Sequence, residues 1–271
     1  MNYYQEIVEC ANAVKKVMKE TPKVAIILGS GLGELVDELE DQTEILYQDI
    51  PHFPIGNVKG HGGKLVLGTF KGQCVLMMQG RFHYYEGFSM KQVVLPIYLF
   101  KQLGIKNLIV TNSCGAINTN YKPGDIVLIE DFINLVFNNP LIGENFDELG
   151  PRFPDMSEPF SHHLQEAFQT SNKIQLEKGC YGYFSGPYYE TRKEIQAFKI
   201  LGCDLIGMST VPETIAANHC GMNVLGISCV TNMATGIQKQ KHSHDNVVNV
   251  ANEIASTLKQ YFRTFFENYT F

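Results

Sequence analysis

Residues 74–87 read CVLMMQGRFHYYEG, and residues 88–104 continue FSMKQVVLPIYLFKQLG. The unbroken apolar run at 74–78 suits a strand buried on both faces, as in a parallel sheet. Ser89 and Gln92 form a Ser-x-x-Gln capping box, so a helix begins near Ser89 and stops at Gly104. Strand, loop and helix in this order make an α/β unit, and open α/β sheets take their ligands in such loops. The loop carries a guanidinium at Arg81, an imidazole at His83 and a hydroxyl at Tyr85. If it leaves the strand extended, these three point to one side by the period of two. The same residues also fit a surface turn with an exposed Arg and half-buried aromatics.

Outward from this stretch the pattern repeats. Residues 24–28 (VAIIL) read as a second buried parallel strand, delivering the chain into Gly29-Ser30-Gly31-Leu32-Gly33. The spacing is G-x-G-x-G, which is neither a dinucleotide fingerprint nor a P-loop. Glycines there allow backbone N–H groups to approach an anion, with Ser30 adding a hydroxyl; they equally suit a plain tight turn. Residues 50–63 are rich in Gly and Pro and read as a loop, with His61 between glycines. Residues 65–70 pair with 74–78 through a turn at Lys71-Gly72, and 108–111 run into Asn112-Ser113-Cys114-Gly115-Ala116. Residues 125–130, 179–184, 204–207 and 224–230 complete the strands. Thr191 with Glu194 and Thr210 with Glu213 read as two more capping boxes. Glu190 then precedes one helix, where the dipole alone favours a carboxylate, and Ser209 precedes another, a natural anion site. Apolar spacing predicts helices over 3–20 and about 245–266. Residues 134–160, with prolines at 140, 151, 154 and 159, read as a long excursion with Arg152 and Phe153 near its tip.

Composition bounds the function. The net charge of −6 argues against a general nucleic-acid binder. Seven scattered cysteines without a CxxC pair suggest free thiols, and His242 with His244 in a polar loop make a poor metal site. The N-terminus lacks the basic-then-apolar pattern of a secretory signal, and no apolar run approaches a bilayer span. The expectation is one soluble, cytoplasmic α/β domain over residues 1–271 with no membrane or nucleic-acid partner.

Taken together, the motifs GSGLG (29–33), GHGG (60–63), QGRFHYYEG (79–87), TNSCGA (111–116), GPYYET (186–191), GMSTVPE (207–213), TN (231–232) and SHD (243–245) resemble, in this order, the purine nucleoside phosphorylases of the trimeric, 6-oxopurine-specific type. The resemblance runs from about residue 24 to the last helix. It implies a mixed, partly barrel-like central sheet flanked by helices. It also implies reversible phosphorolysis of inosine, guanosine and their deoxy forms in purine salvage, with no metal or organic cofactor and inorganic phosphate as co-substrate. Carried over by position, phosphate falls to Ser30, His61, Arg81, His83, Ser113 and Ser209. The ribose falls to Tyr85, Met208 and His244, with Phe153 supplied by a neighbouring subunit of a homotrimer. The base falls to Tyr189, Glu190 and Asn232; Asn232, Glu190 and His83 carry the catalytic roles, and the segment 235–246 is similar to the family's gate loop. Cys114 stands where other members commonly carry Ala, a small-for-small change of little expected effect, whereas Tyr189 and Met233 stand where some members carry Phe and Lys, which bears on base selectivity.

Other functions remain to be weighed. The methylthioadenosine phosphorylases resemble the same span but carry Asp at the position of Asn232 and lack the Glu. A non-catalytic nucleoside sensor on this fold is expected to lose Arg81, Glu190 or Asn232, and none is lost.

Overall fold

A computed structural model describes residues 1–29, 31–56, 62–237 and 243–271, with the backbone alone for residues 244 and 245. Ser30 and His61 lie outside the described residues, as do residues 238–242 of the segment 235–246. Among the described residues, nine strands join in one sheet: β1 (Val24–Leu28), β2 (Glu40–Leu46), β3 (Lys64–Phe70), β4 (Gln73–Gln79), β5 (Asn107–Ala116), β6 (Ile126–Asn134), β7 (Lys178–Tyr183), β8 (Leu205–Gly207) and β9 (Asn223–Met233). Six α-helices flank it: α1 (Tyr3–Lys15), α2 (Met90–Gln102), α3 (His162–Asn172), α4 (Arg192–Leu201), α5 (Val211–His219) and α6 (His244–Asn268).

The strand order is β2-β3-β4-β1-β5-β8-β7-β6-β9, and β9 returns to pair with β5. Strands β5, β8, β7, β6 and β9 therefore close on themselves, while β2, β3, β4 and β1 extend from β5 as an open wing. Parallel pairing (β1 with β4 and β5, β5 with β9, β6 with β7, β7 with β8) mixes with antiparallel pairing (β2–β3, β3–β4, β5–β8, β6–β9). This is the mixed, partly barrel-like sheet that the resemblance implied.

The period of two explains why residues 24–28 are wholly apolar. Ala25 and Ile27 join a core with α1, α2 and α5, whereas Val24, Ile26 and Leu28 join the opposite core with α3 and α6. The capping boxes at Ser89/Gln92 and Thr191/Glu194 form as the sequence indicates. Lys71 and Gly72 both take positive φ (49° and 78°) and make the two-residue turn between β3 and β4.

Three expectations change. The first helix ends at Lys15 rather than near 20, because Val14 is its last buried residue and Val17 is exposed. Strand β2 was not anticipated: its sequence, EDQTEIL, is mostly exposed and offers no apolar alternation. Thr210 does not cap α5; its φ of 74° and ψ of −50° turn it away, and it makes no side-chain cap.

Close packing inside β9 requires a glycine. A Cβ at Gly226, inside β9, would lie 2.6 Å from a Phe160 ring carbon and 3.0 Å from Ile129 Cβ. Gly226→Ala is expected to destabilise the fold by about 1–3 kcal/mol through overpacking, read as a lower urea midpoint at unchanged slope.

Candidate active site

The site opens where β5 changes partners. β1 pairs with β5 as far as Ile27 against Val110, and β8 begins only at Gly115 against Ile206. Among the described residues no strand pairs with 111–114 on that edge, while β9 supports the other edge throughout. The main chain of Asn112, Ser113 and Cys114 accordingly lines a cavity at the strand ends, as does Gly29 at the end of β1. A Cβ on Gly29 would stand 2.8 Å from the Thr111 carbonyl oxygen, so this glycine permits the two strand ends to meet. Gly31 has a different reason: its φ is 82°, and an added Cβ would strike Ala251 of α6 at 2.6 Å.

Arg81, His83 and Tyr85 all reach this cavity. They do so without a fully extended loop, for a short 3-10 turn occupies Tyr84–Glu86. Arg81 is buried; its Nη1 donates to the Thr111 carbonyl oxygen (2.7 Å) and to Ser209 Oγ (3.2 Å), and its Nε lies 2.9 Å from Glu213 Oε1. The His83 ring stacks on Tyr85 with centroids 4.7 Å apart and planes at 17°. Glu86 fixes His83 from behind, accepting from its backbone N–H at 2.9 Å and lying 3.1 Å from its Nδ1. Burial pushes the Tyr85 hydroxyl up to about 12, so it stays protonated and able to donate.

Ser209 is placed by an unusual turn. The Val211 N–H donates to the Ser209 carbonyl at 2.8 Å across Thr210, making a γ-turn with positive φ at its centre. Such backbone in a β-branched residue costs about 1–3 kcal/mol. The cost is offset by buried hydrogen bonds: Asn112 Nδ2 donates to Thr210 Oγ1 (2.9 Å), and Ser228 Oγ donates to Asn112 Oδ1 (3.0 Å). Thr214 N and Oγ1 both donate to the Thr210 carbonyl, at 2.8 and 2.9 Å.

The same cavity is lined by Tyr189, Glu190, Met208 and Asn232. Glu190 follows β7 and precedes α4, and burial raises its carboxyl from 4.5 to about 7. It is therefore poised between its two protonation states near neutrality, which the helix dipole alone would not produce. Asn232 ends β9 at a bulge opposite Gly115. Thr231 Oγ1 donates to its Oδ1 at 3.0 Å, and its Nδ2 donates to the Met233 carbonyl at 3.1 Å, which sets the amide's orientation.

Of the residues singled out in the sequence, Arg81, His83, Tyr85, Ser113, Tyr189, Glu190, Met208, Ser209 and Asn232 converge on one cavity. Ser30 and His61 lie outside the described residues, as does the side chain of His244, whose backbone opens α6. Val247, one turn further on, lines the cavity. Phe153 does not line it; its ring is 88% exposed, with Arg152 stacked over it at 5.6 Å. Glu86, Thr231 and Glu213 received no site role from the sequence. Glu86 has a visible signal in its i+3 spacing from His83; the signal for Glu213 pointed instead to a cap.

The sequence model of the Phosphorylase superfamily matches residues 23–267. Purine nucleoside phosphorylase 1 of Bacillus subtilis is 48% identical over 251 residues, covering 92% of this chain and 93% of that one. The mouse (Mus musculus) purine nucleoside phosphorylase is 43% identical over 250 residues, covering 89% and 86%. Among solved structures, isoform 2 of the Schistosoma mansoni enzyme, in complex with cytosine and ribose-1-phosphate, superposes with a TM-score of 0.92 at 41% identity, covering 98% of this chain and 97% of that one. A schistosome purine nucleoside phosphorylase in complex with hypoxanthine superposes with a TM-score of 0.92 at 36% identity, covering 98% of both chains. With the family model spanning most of the chain and relatives at these identities over nearly its whole length, the chain belongs to the Phosphorylase superfamily and, within it, to the purine nucleoside phosphorylases.

Proposed function

We propose that the chain catalyses reversible phosphorolysis of purine nucleosides, converting nucleoside and phosphate into free base and ribose 1-phosphate. One observation carries this reading: a single cavity is lined together by a cation, Arg81, by the small-residue strand end 113–115, by the carboxylic acid Glu190 and by the amide Asn232. The solved relatives with hypoxanthine and with ribose-1-phosphate support it.

The phosphate dianion is assigned to Arg81, Ser209, the backbone of Ser113 and His83, with Ser30 and His61 alongside. Tyr85, Met208 and His244 take the ribose. Tyr189 flanks the base, Glu190 accepts from N1–H of a 6-oxopurine, and the Asn232 amide donates to N7. As the glycosidic bond breaks, the sugar becomes oxocarbenium-like and the purine gains negative charge. Phosphate opposes the first charge and the Asn232 amide the second, so both interactions strengthen in the transition state. Inosine and guanosine, with their deoxy forms, are the assigned substrates, and purine salvage the assigned role. Phosphate is the co-substrate, and the assigned chemistry calls for no metal or organic cofactor.

We further assign a homotrimer of single-domain subunits in which the exposed Phe153 of one subunit completes the sugar site of the next. A large aromatic at 88% exposure on an otherwise ordered excursion supports that assignment. A cytoplasmic location is assigned with it; among the described residues no helix is long and apolar enough to cross a membrane.

Incubation with inosine is expected to release hypoxanthine only when phosphate is present; release in its absence would mark a hydrolase. Asn232→Asp is expected to shift preference from inosine toward 6-aminopurine nucleosides, and an unchanged ratio would remove the N7 role.

The Glu190 carboxyl yields a pH prediction. Accepting from N1–H requires the carboxylate, so hypoxanthine affinity measured calorimetrically without phosphate should weaken by up to about tenfold per pH unit below 7. Glu190→Gln should bind weakly and show no such dependence. The effect on folding has the opposite sign. The folded pKa lies above the ordinary 4.5, so this group's contribution to stability is complete below 4.5 and is lost as pH rises through about 7.

A further inference from the structure

Glu213 occupies the first turn of α5, where the sequence suggests a carboxylate capping its own helix. It does not serve that purpose, because Thr210 stands in a γ-turn and makes no capping bond. Instead Oε1 lies 2.9 Å from Arg81 Nε, with both side chains 3–4% exposed. A buried carboxylate opposite a buried guanidinium is a poor source of net stability but strongly fixes orientation, since Arg's donors form a rigid planar fork. Arg81 is held from three sides: the Glu213 carboxylate on α5 forms a close ion pair at Nε, while the Thr111 carbonyl on β5 and Ser209 Oγ before α5 accept from Nη1. Rotation about Cδ–Nε would break both Nη1 bonds, and the carboxylate fixes the point about which the guanidinium would turn. The strained turn at Thr210 serves both side-chain partners, setting Ser209 at the cavity and Glu213 behind Arg81.

We propose that Glu213 is a positioning residue of the phosphate site, acting through Arg81 to hold the guanidinium plane for phosphate. The inference rests on the phosphorolysis reading. It predicts a defect specific to one co-substrate, which a merely structural role would not give. Glu213→Leu, which keeps the volume and removes the acceptor, should raise the phosphate KM about tenfold or more, the scale of a misplaced charge-assisted hydrogen bond. The inosine KM and the affinity for hypoxanthine without phosphate should stay within about threefold of the parent chain. Glu213→Gln, which retains an acceptor but loses the charge, should raise the phosphate KM by only about threefold.

Steady-state kinetics with each co-substrate varied in turn reads this directly. A Leu variant with unchanged phosphate KM overturns the proposal, as does a parallel rise in both KM values. If the Leu variant does not fold, the Gln variant carries the test through the phosphate concentration that half-saturates its thermal shift. A value raised about threefold supports the proposal, and an unchanged value overturns it. Failure of the parent chain to release hypoxanthine from inosine with phosphate would instead overturn the phosphorolysis reading, and that is seen before any variant is made.

Discussion

Strand β5 is held in common by two arrangements that cannot both claim the whole of it. Its first half belongs to the open wing through β1, its last two residues belong to the closed ring through β8, and β9 runs beside it from end to end. A strand that changes partner must leave an interval where one edge lacks a ladder. Polar backbone in such an interval has to be satisfied by something else. Here the interval is residues 111–114, and the Thr111 carbonyl is taken by Arg81. The cavity is thus a product of the topology, and the neighbouring loops are gathered around it because their strands end at the same level.

The chemistry within the cavity differs from place to place because the surroundings differ. At Arg81 the cation is matched by a buried carboxylate and by hydrogen-bond acceptors, which keeps its charge and fixes its plane. Elsewhere in the cavity burial dominates at Glu190 and holds its proton to about 7. Folding favours the neutral carboxyl, while acceptance of an N1–H bond calls for the ionised one. The protein therefore carries some instability at the site for the sake of recognition, as functional groups commonly do.

Much of this was legible in the sequence. Apolar runs such as 24–28 and 74–78 mark strands covered on both faces, and Ser89/Gln92 and Thr191/Glu194 mark helix starts, because these signals are local. Strand ends carrying Arg81, Glu190, Ser209 and Asn232 could be picked out, since such residues have few structural reasons to sit there together. Closure of the ring was expected only through family resemblance, for register between β5 and β9 is set by residues more than a hundred positions apart. Glu213 was misread for a physical reason: a Thr-x-x-Glu signal assumes extended backbone at the cap, and Thr210 is forced out of that region by its contacts with Asn112 and Thr214. Strand β2 was invisible because an edge strand exposed along most of its length leaves no apolar trace.

That same strand has a consequence for how the molecule behaves among copies of itself. Closing the ring removes the free edges of β8, β7, β6 and β9, so among the described residues the wing ends in the ladder of β2. An unpaired ladder is a template for any other extended chain. Here it is written EDQTEIL, with three carboxylates and a break in register between Glu40 and Thr43. Charge repels an approaching copy and the irregularity spoils its register. The features that hid β2 from a reading based on hydrophobic pattern are those that guard the sheet against edge-to-edge aggregation.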